Sequence, residues 1–222
     1  MECAPSYAMA YCHLRAGESV SAESGAMALM SQGVSLSAGT GGGVLKGFVR
    51  KALGGESFFL GRYTASVHGA WVAFAPKFPG DIAVVDLSVS GSIVTESGSM
   101  LAFDDGVEVS VTNAGVGNVL MREGITMLRM AGSGTVLLCS YGGLQQFELS
   151  AGQSLVVDTG HVVAFSETME RQVGMVAGVA ASAASGEGLG MKLSGPGHVW
   201  VQTRAEQALT SWLFPERKQN RG

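Results

Sequence analysis

The chain is a succession of short apolar runs separated by glycine, serine or charged residues. The stretch "GHVWVQT" (197–203) alternates apolar and polar positions, which is typical of a strand with one buried face. The runs "GTVLLCSY" (134–141) and "SLVVDTGHVVAF" (154–165) are short, rich in β-branched residues and bounded by Gly or Ser. Runs of this kind recur at roughly the 8–12-residue spacing of all-β proteins. The pattern therefore predicts an all-β fold, a barrel or a double-stranded β-helix-like sandwich built from β-hairpin units.

Three segments of the chain resemble one another, which indicates internal repeats. They are "LRAGESVSAESGAMALM" (14–30), "LSVSGSIVTESGSMLAF" (87–103) and "LSAGQSLVVDTGHVVAF" (149–165). Each has a polar turn, an apolar run, an acid followed by Ser or Thr and Gly, and a second apolar run. A Gly–Glu hairpin with one basic residue follows each segment, and the basic residues are Arg62, Arg129 and Lys192. We predict a single domain over residues 1–222, made of three repeats at approximately 6–86, 87–148 and 149–213.

The acids of the repeated hairpin are Glu23, Glu96 and Asp158. The simpler interpretation is local, because an acid and a hydroxyl before Gly accept backbone N–H bonds in a turn. The alternative follows from the repeats: around a pseudo-threefold axis the three carboxylates would converge. Like charges held close together raise one another's pKa or bind a cation.

The run "GGGVLKGFVRKALGG" (41–55) has three candidate roles. A phosphate-binding P-loop needs GxxxxGK[ST], and neither that spacing nor the hydroxyl is present. Gly- and Ala-rich connectors stand at the same place in the other repeats, so a connector is the simplest interpretation. Within it, residues 44–53 have the apolar spacing of a short helix. That helix either packs on the protein itself or contacts a membrane surface or protein partner through Lys46, Phe48, Arg50 and Lys51.

A second short helix is predicted near residues 203–214. Thr203 and Glu206 have capping-box spacing, and Pro215 ends the pattern.

Composition favours self-association. Hydrophobic residues make up 46% of the chain and charged residues only 14%, which leaves little polar cover for a monomer. We therefore expect a homo-oligomer, with a trimer as the first guess.

The formal net charge of −4 argues against nucleic acid as a partner. Three cysteines without a CxxC pair, and no signal peptide, predict reduced thiols in a cytoplasmic protein.

No catalytic constellation is visible in the sequence. The segments "GESVS" and "GQSLV" lack the second glycine of a nucleophile elbow, and the four histidines have no metal-ligand spacing. We expect no enzyme activity and no cofactor. The expected role is an interaction or scaffolding protein, and the alternative is a small-ligand binder with clefts between repeats or subunits.

Four separated motifs carry a resemblance to a known family. "GESFFL" (55–60), "GDIAVVDL" (80–87), "SLVVDTGHVVAF" (154–165) and "SGPGHVWVQTR" (194–204) resemble the AIM24 family, over nearly the whole chain. The resemblance implies a fold akin to the tryptophan RNA-binding attenuation protein, with triplicated units that are often oligomeric. The family takes its name from a mitochondrial relative connected with inner-membrane organisation, and it supplies no catalytic residues to transfer. The second repeat has "AGSG" where the third has "SGPG", a departure from strict threefold symmetry.

Overall fold

A computed structural model describes residues 1–39, 60–112, 125–175 and 189–215 of the chain. The predicted helix at 44–53, with Lys46, Phe48, Arg50 and Lys51, lies outside the described residues.

The described residues are mostly β-strand, which confirms the predicted all-β class. The strands fall into three groups of six that we call units one, two and three. Unit one contains β1 Ala10–Leu14, β2 Ser19–Glu23, β3 Met27–Met30, β4 Val34–Gly39, β5 Leu60–Ala65 and β6 Ala70–Phe74. Unit two contains β7 Ile82–Asp86, β8 Ile93–Glu96, β9 Met100–Asp104, β10 Val107–Thr112, β11 Met127–Gly132 and β12 Thr135–Cys139. Unit three contains β13 Leu144–Leu149, β14 Ser154–Asp158, β15 Val162–Ser166, β16 Glu170–Met175, β17 Leu189–Ser194 and β18 Gly197–Gln202.

Every unit pairs its strands in the same way. The first, sixth and third strands form one antiparallel sheet, and the fourth, fifth and second strands form another. In unit one these sheets are β1-β6-β3 and β4-β5-β2, and units two and three repeat both orders. The triplication seen in the sequence is therefore a triplication of sheet topology.

Neighbouring units are joined by one strand pair, which we call a junction. In a junction, the second strand of one unit pairs with the third strand of the next unit. Strand β2 pairs with β9, and β8 pairs with β15, so two six-stranded sheets form. Within the described residues every sheet ends in two edge strands, so the architecture is one of open sheets and the predicted barrel alternative is not observed.

The two junctions share one register. Ser21 lies opposite Phe103 in the first, and Val94 lies opposite Phe165 in the second. The third strand also carries an irregularity in its pairing with the sixth strand in every unit. Such bulges bend a strand locally and tend to be reproduced when a unit is duplicated.

Three hydrophobic clusters, one centred on each unit, form the core. Phe74 is fully buried in the first cluster, Leu128 in the second and Phe165 in the third. Gly132 turns the chain between β11 and β12 at φ +101°, and a Cβ there would overlap the carbonyl oxygen of Gly106. The turn therefore requires glycine for both conformation and space.

Two short α-helices are described. Helix α1, Leu87–Ser90, is capped by Asp86, whose side chain accepts from the Ser88 amide. Helix α2, Glu206–Leu213, confirms the predicted C-terminal helix but begins later than expected.

The predicted capping residue of α2 is wrong. Ala205 occupies the N-cap without a side-chain bond, and the Thr203 hydroxyl instead accepts from the Gly143 amide at 2.9 Å.

The unit boundaries also differ from the predicted repeat boundaries. Strand β7 pairs with β12, and β13 pairs with β18, so both belong with the strands that follow them. The repeat boundaries predicted from the sequence place β7, and all of β13 except Leu149, at the ends of the preceding repeats.

Candidate functional site

The three predicted acids occupy equivalent places in the fold. Glu23, Glu96 and Asp158 each end the second strand of a unit, directly before the turn into the third strand. Asp158 accepts a hydrogen bond from the Gly160 amide at 2.9 Å, within its own turn. Glu96 accepts from the Ser97 hydroxyl at 3.1 Å in the same way. Both side chains thus make the local turn contacts that the residue pattern favours.

Glu23 senses the charge of Glu96 across the first two units. The pKa of Glu23 is raised to about 7, chiefly by burial; Lys77 opposes this rise, and the charges of Glu96 and Glu206 contribute to it. Burial likewise raises the pKa of Glu96, although hydrogen bonds from Gly98, Ser97 and Ser99 oppose the shift. Both carboxyls are therefore easier to protonate than an exposed glutamate.

Cys139 completes this group, which we call the acidic site: Glu23, Glu96 and Cys139. The cysteine ends β12, and its thiol donates to the Gly98 carbonyl oxygen at 3.6 Å. Burial raises the pKa of Cys139 to about 12, and the two carboxylates add to the effect. A thiol held protonated in this way is a poor nucleophile.

Lys77 and Glu206 line the exposed side of the acidic site. Their Nζ and Oε1 atoms are 3.5 Å apart, and both side chains are more than half exposed. This pair connects the segment after β6 with the first turn of α2.

The arrangement can exchange a proton near neutral pH, because the pKa of Glu23 lies there. Asp158 is engaged in its own turn, and that turn packs near Ala205, the residue before α2. Among the described residues, no group of three His, Cys, Asp or Glu side chains is placed to hold a metal ion. A functional convergence of all three acids stays a prediction.

A second feature is a pair of exposed strand edges. Among the described strands, β3 pairs only with β6, and β14 pairs only with β17. Apolar side chains are exposed along both: Leu29 is 38% exposed, Met30 39% and Val156 54%. We call β3 and β14 the free edges.

The free edges are the equivalents of strands that are buried elsewhere. Phe103 and Phe165, which correspond to Met30, are 7% and 0% exposed in their junctions. Val94, which corresponds to Val156, is 1% exposed. The contrast comes from pairing, because the equivalent strands are covered by a neighbouring unit.

Each junction is accompanied by an ion pair. Arg62 and Asp105 lie 2.5 Å apart across the first junction, and Arg129 and Glu167 lie 2.6 Å apart across the second. In both, the base is on the fifth strand of one unit and the acid follows the third strand of the next. These half-exposed pairs contribute modestly to stability, at about 0.2–1 kcal/mol each.

The equivalent residues of the free edges do not form such a pair. Lys192 on β17 occupies the place of the two arginines, because it lies opposite Val156 as Arg129 lies opposite Val94. Gln32, which follows β3, stands where the other two units have an acid. The free edges thus have a basic residue, Lys192, as the junctions do, but the uncharged Gln32 occupies the position of its acidic partner.

A third feature is an exposed apolar end on α2. Trp212 is 76% exposed, Leu213 51% and Phe214 75%. Trp212 and Leu213 are the last two residues of α2, and Phe214 is its C-cap.

The sequence did not reveal the free edges, Lys77 or Glu206 as parts of candidate sites. The three aligned hairpins contained a signal for the edges, since the second and third strands of every unit can be read from them. The pairing rule that links one unit to the next is visible only in the fold. Lys77 and Glu206 stand far apart in sequence and meet only in space.

In the described residues, fold and site together define an all-β protein of three six-stranded units, in which β3 and β14 lack the junction that their equivalents form. The chain belongs to the AIM24 family: residues 1–204 match the family described as "Mitochondrial biogenesis AIM24". An uncharacterized protein of Streptococcus pyogenes serotype M6 is 28% identical over 198 residues, covering 86% of this chain and 79% of that protein. A crystal structure of a Streptococcus pyogenes protein superimposes with a TM-score of 0.77 at 25% identity, covering 96% of this chain and 95% of that one. No helix among the described residues is long and apolar enough to cross a membrane.

Proposed function

We propose that the chain is a non-enzymatic, self-assembling interaction module that acts as a scaffold. The observation that supports this role is the exposure of apolar side chains on two unpaired strand edges. Exposed apolar edges in a soluble protein are normally shortened, charged or covered. Strand β3 carries no charged residue, and β14 carries only Asp158 at its end. Covering by a protein surface would protect both strands.

The experiment is sedimentation velocity of the wild-type protein over a wide dilution series. We expect a mass greater than that of one chain, which falls on dilution. Val156→Lys places a charge on a free edge and should lower the mass at every concentration. Val89→Lys is the matched control, because Val89 is 85% exposed on α1, away from both edges. A wild-type protein that sediments as a monomer throughout would refute the proposal.

A partner protein or a membrane surface is a second target of this module. The exposed Trp212, Leu213 and Phe214 support it, because aromatic side chains suit both kinds of contact. Co-sedimentation with anionic and neutral vesicles tests the membrane arm, with Trp212→Ser/Phe214→Ser as the variant. Lys46→Glu/Arg50→Glu/Lys51→Glu tests the basic segment separately. Equal pelleting of all variants would exclude both segments as the contact.

Several narrower predictions accompany this proposal. The three free cysteines, of which Cys3 is exposed, support a cytoplasmic location. A likeness to the tryptophan RNA-binding attenuation protein, the absence of nucleic acid as a partner and the absence of enzyme activity stay predictions. The small-ligand alternative also stays a prediction, and the acidic site between units one and two is the place where we would look for it.

A further inference from the structure

We propose that helix α2 is a conformational switch, which is docked on the acidic site while Glu23 is protonated and is released when Glu23 ionises. With Glu23 neutral, Lys77 holds the first turn of α2 through Glu206. With Glu23 charged, Lys77 is shared between two carboxylates and Glu206 is repelled. The switch operates within one chain and does not depend on self-association.

Helix α2 is a weakly anchored element. It has eight residues, Glu206–Leu213, and none of their side chains is buried. Its N-cap is Ala205, which supplies no side-chain hydrogen bond to the first turn. Isolated helices shorter than about 12–15 residues are marginal in water, and a helix without a capping side chain is less stable still. Contacts with the rest of the protein therefore decide whether α2 stays folded.

The described contacts of α2 lie at its first turn. The Nζ atom of Lys77 lies 3.5 Å from Oε1 of Glu206, the first residue of the helix. A Cβ on Gly160 would lie 3.2 Å from the Cβ of Ala205, so the turn of unit three closely approaches the start of the helix. At the other end Trp212 is 76% exposed. A change at the Lys77–Glu206 pair therefore acts directly on the anchored end of α2.

The segment before α2 is fixed independently of the helix. The amide of Thr203 donates to the Gly143 carbonyl oxygen at 3.0 Å, and its hydroxyl accepts from the Gly143 amide at 2.9 Å. The amide of Arg204 donates to the Tyr141 carbonyl oxygen at 3.2 Å. Hinges in proteins are commonly a few residues at the end of an element. Helix α2 can therefore leave the acidic site by rotation about Ala205 while the residues before it keep their contacts.

The groups around Glu23 make docking depend on its protonation. Among the described residues, the charges that act on Glu23 are those of Lys77, Glu96 and Glu206. Lys77 follows β6 and Glu96 ends β8, so both stay in place when α2 leaves. Glu206 belongs to α2, so its repulsion of Glu23 acts only in the docked state. The thiol of Cys139 adds no charge, because burial raises its pKa to about 12.

The direction of the switch follows from the charge of Glu206. Because this charge faces Glu23 only in the docked state, the pKa of Glu23 is higher with α2 docked than with α2 released. The state in which a group has the higher pKa binds more protons and is favoured at low pH. Docking is therefore complete in acid and weakens as the pH rises through about 7, the pKa of Glu23 in the docked state. We expect a two- to fivefold change in the docking equilibrium, the effect of one exposed ion pair.

The test is amide hydrogen exchange of the whole protein, followed by mass spectrometry of peptides that contain residues 206–213. Exchange is measured between about pH 5.5 and pH 8.5 and divided by the rate of the free peptide 203–215 at the same pH, which removes the intrinsic pH dependence. We expect the protection of α2 in the wild type to fall two- to fivefold over this range. Peptides from β12 report global unfolding, and α2 should be less protected than β12 at every pH because it opens locally.

Three variants assign the effect to its groups. Glu23→Gln cannot ionise, so α2 should keep its low-pH protection throughout the range. Glu206→Gln removes both the ion pair with Lys77 and the repulsion of Glu23, so protection should be low and independent of pH. Glu148→Gln, the same substitution at an exposed position of β13, is the matched control and should behave as the wild type does.

Four results would overturn the switch. Constant protection of α2 in the wild type would show that Glu23 does not control docking. An equal fall in Glu23→Gln would assign the change to another group. Protection that rises with pH would show that the charge of Glu23 stabilises the helix N-terminus instead. Equal protection of α2 and β12 would show that α2 opens only when the whole chain unfolds. None of these results bears on the sedimentation experiment that tests self-assembly.

Discussion

The pKa of Glu23 makes a quantitative prediction about stability. The ordinary glutamate value of 4.5 applies to the unfolded chain, and burial raises the pKa to about 7 in the folded protein. Between these values the folded state holds a proton that the unfolded state has lost. The free energy of unfolding therefore falls as pH rises through this interval. This loss of stability is complete once the pH exceeds the pKa that Glu23 has in the folded protein.

The size of the effect follows from the interval. One pKa unit corresponds to about 1.4 kcal/mol, so the interval corresponds to about 3.4 kcal/mol. The side chain is partly exposed and solvent screens its charge, so the folded state is destabilised by no more than about 3 kcal/mol above neutral pH. Glu23→Gln has nearly the same shape and no charge, so it should remove this cost. We expect it to match wild type at pH 4 and to be more stable at pH 8, by up to about 6–12 °C in Tm.

The assay is thermal unfolding followed by circular dichroism over a pH series. Glu148→Gln, at an exposed position of β13, is the matched control for replacing a strand glutamate by glutamine. Lys77→Gln removes the charge that lowers the pKa of Glu23, so it should make the loss at high pH larger. A Glu23→Gln stabilisation that is the same at pH 4 and pH 8 would refute the reasoning, because it would come from packing and not from ionisation.

Two further predictions concern the sheets themselves. Gly132→Ala should cost more stability than Gly152→Ala, because both have positive φ but only Gly132 would drive its Cβ into a carbonyl oxygen, that of Gly106. We expect about 1 kcal/mol for Gly152→Ala and clearly more for Gly132→Ala in urea unfolding, and equal costs would contradict the contact. Thr95→Val should cost about 1–3 kcal/mol, because the buried Thr95 hydroxyl donates to the Val163 carbonyl oxygen at 2.9 Å beside the second junction. Thr95→Ser keeps the donor and loses only the methyl group, so it should cost less than Thr95→Val, and a Val variant as stable as wild type would contradict a contribution from the hydrogen bond.

The sequence alone was sufficient for the class of fold and for most of the repeated hairpin. An acid, a hydroxyl residue and a glycine recur between the second and third strands of each unit. When the acids Glu23, Glu96 and Asp158 are aligned, these strands align residue for residue. The first strands of the units gave no such signal. Residues 82–86 and 144–149 share little with each other or with 10–14, so their assignment required strand pairing.

The candidate sites were less accessible because they depend on tertiary contacts. Thr203 has the composition of a helix cap, yet its hydroxyl accepts from Gly143, which lies 60 residues away in the chain. The pKa of Glu23 depends on burial and on Lys77, Glu96 and Glu206, none of which neighbours it in sequence. Residue spacing can place an acid at the end of a strand, but it does not state which side chains of other strands surround it.

Gln32 has a consequence for how the protein responds to dissolved salt. The ion pairs Arg62–Asp105 and Arg129–Glu167 are partly open to solvent, so added ions screen them and loosen the contacts within a chain. The edge beside Gln32 has no such pair to lose. The three apolar clusters respond in the opposite direction, because salts such as sulfate strengthen apolar burial. Each half-exposed pair contributes at most about 1 kcal/mol, so sulfate should stabilise the folded chain although it weakens the two ion pairs.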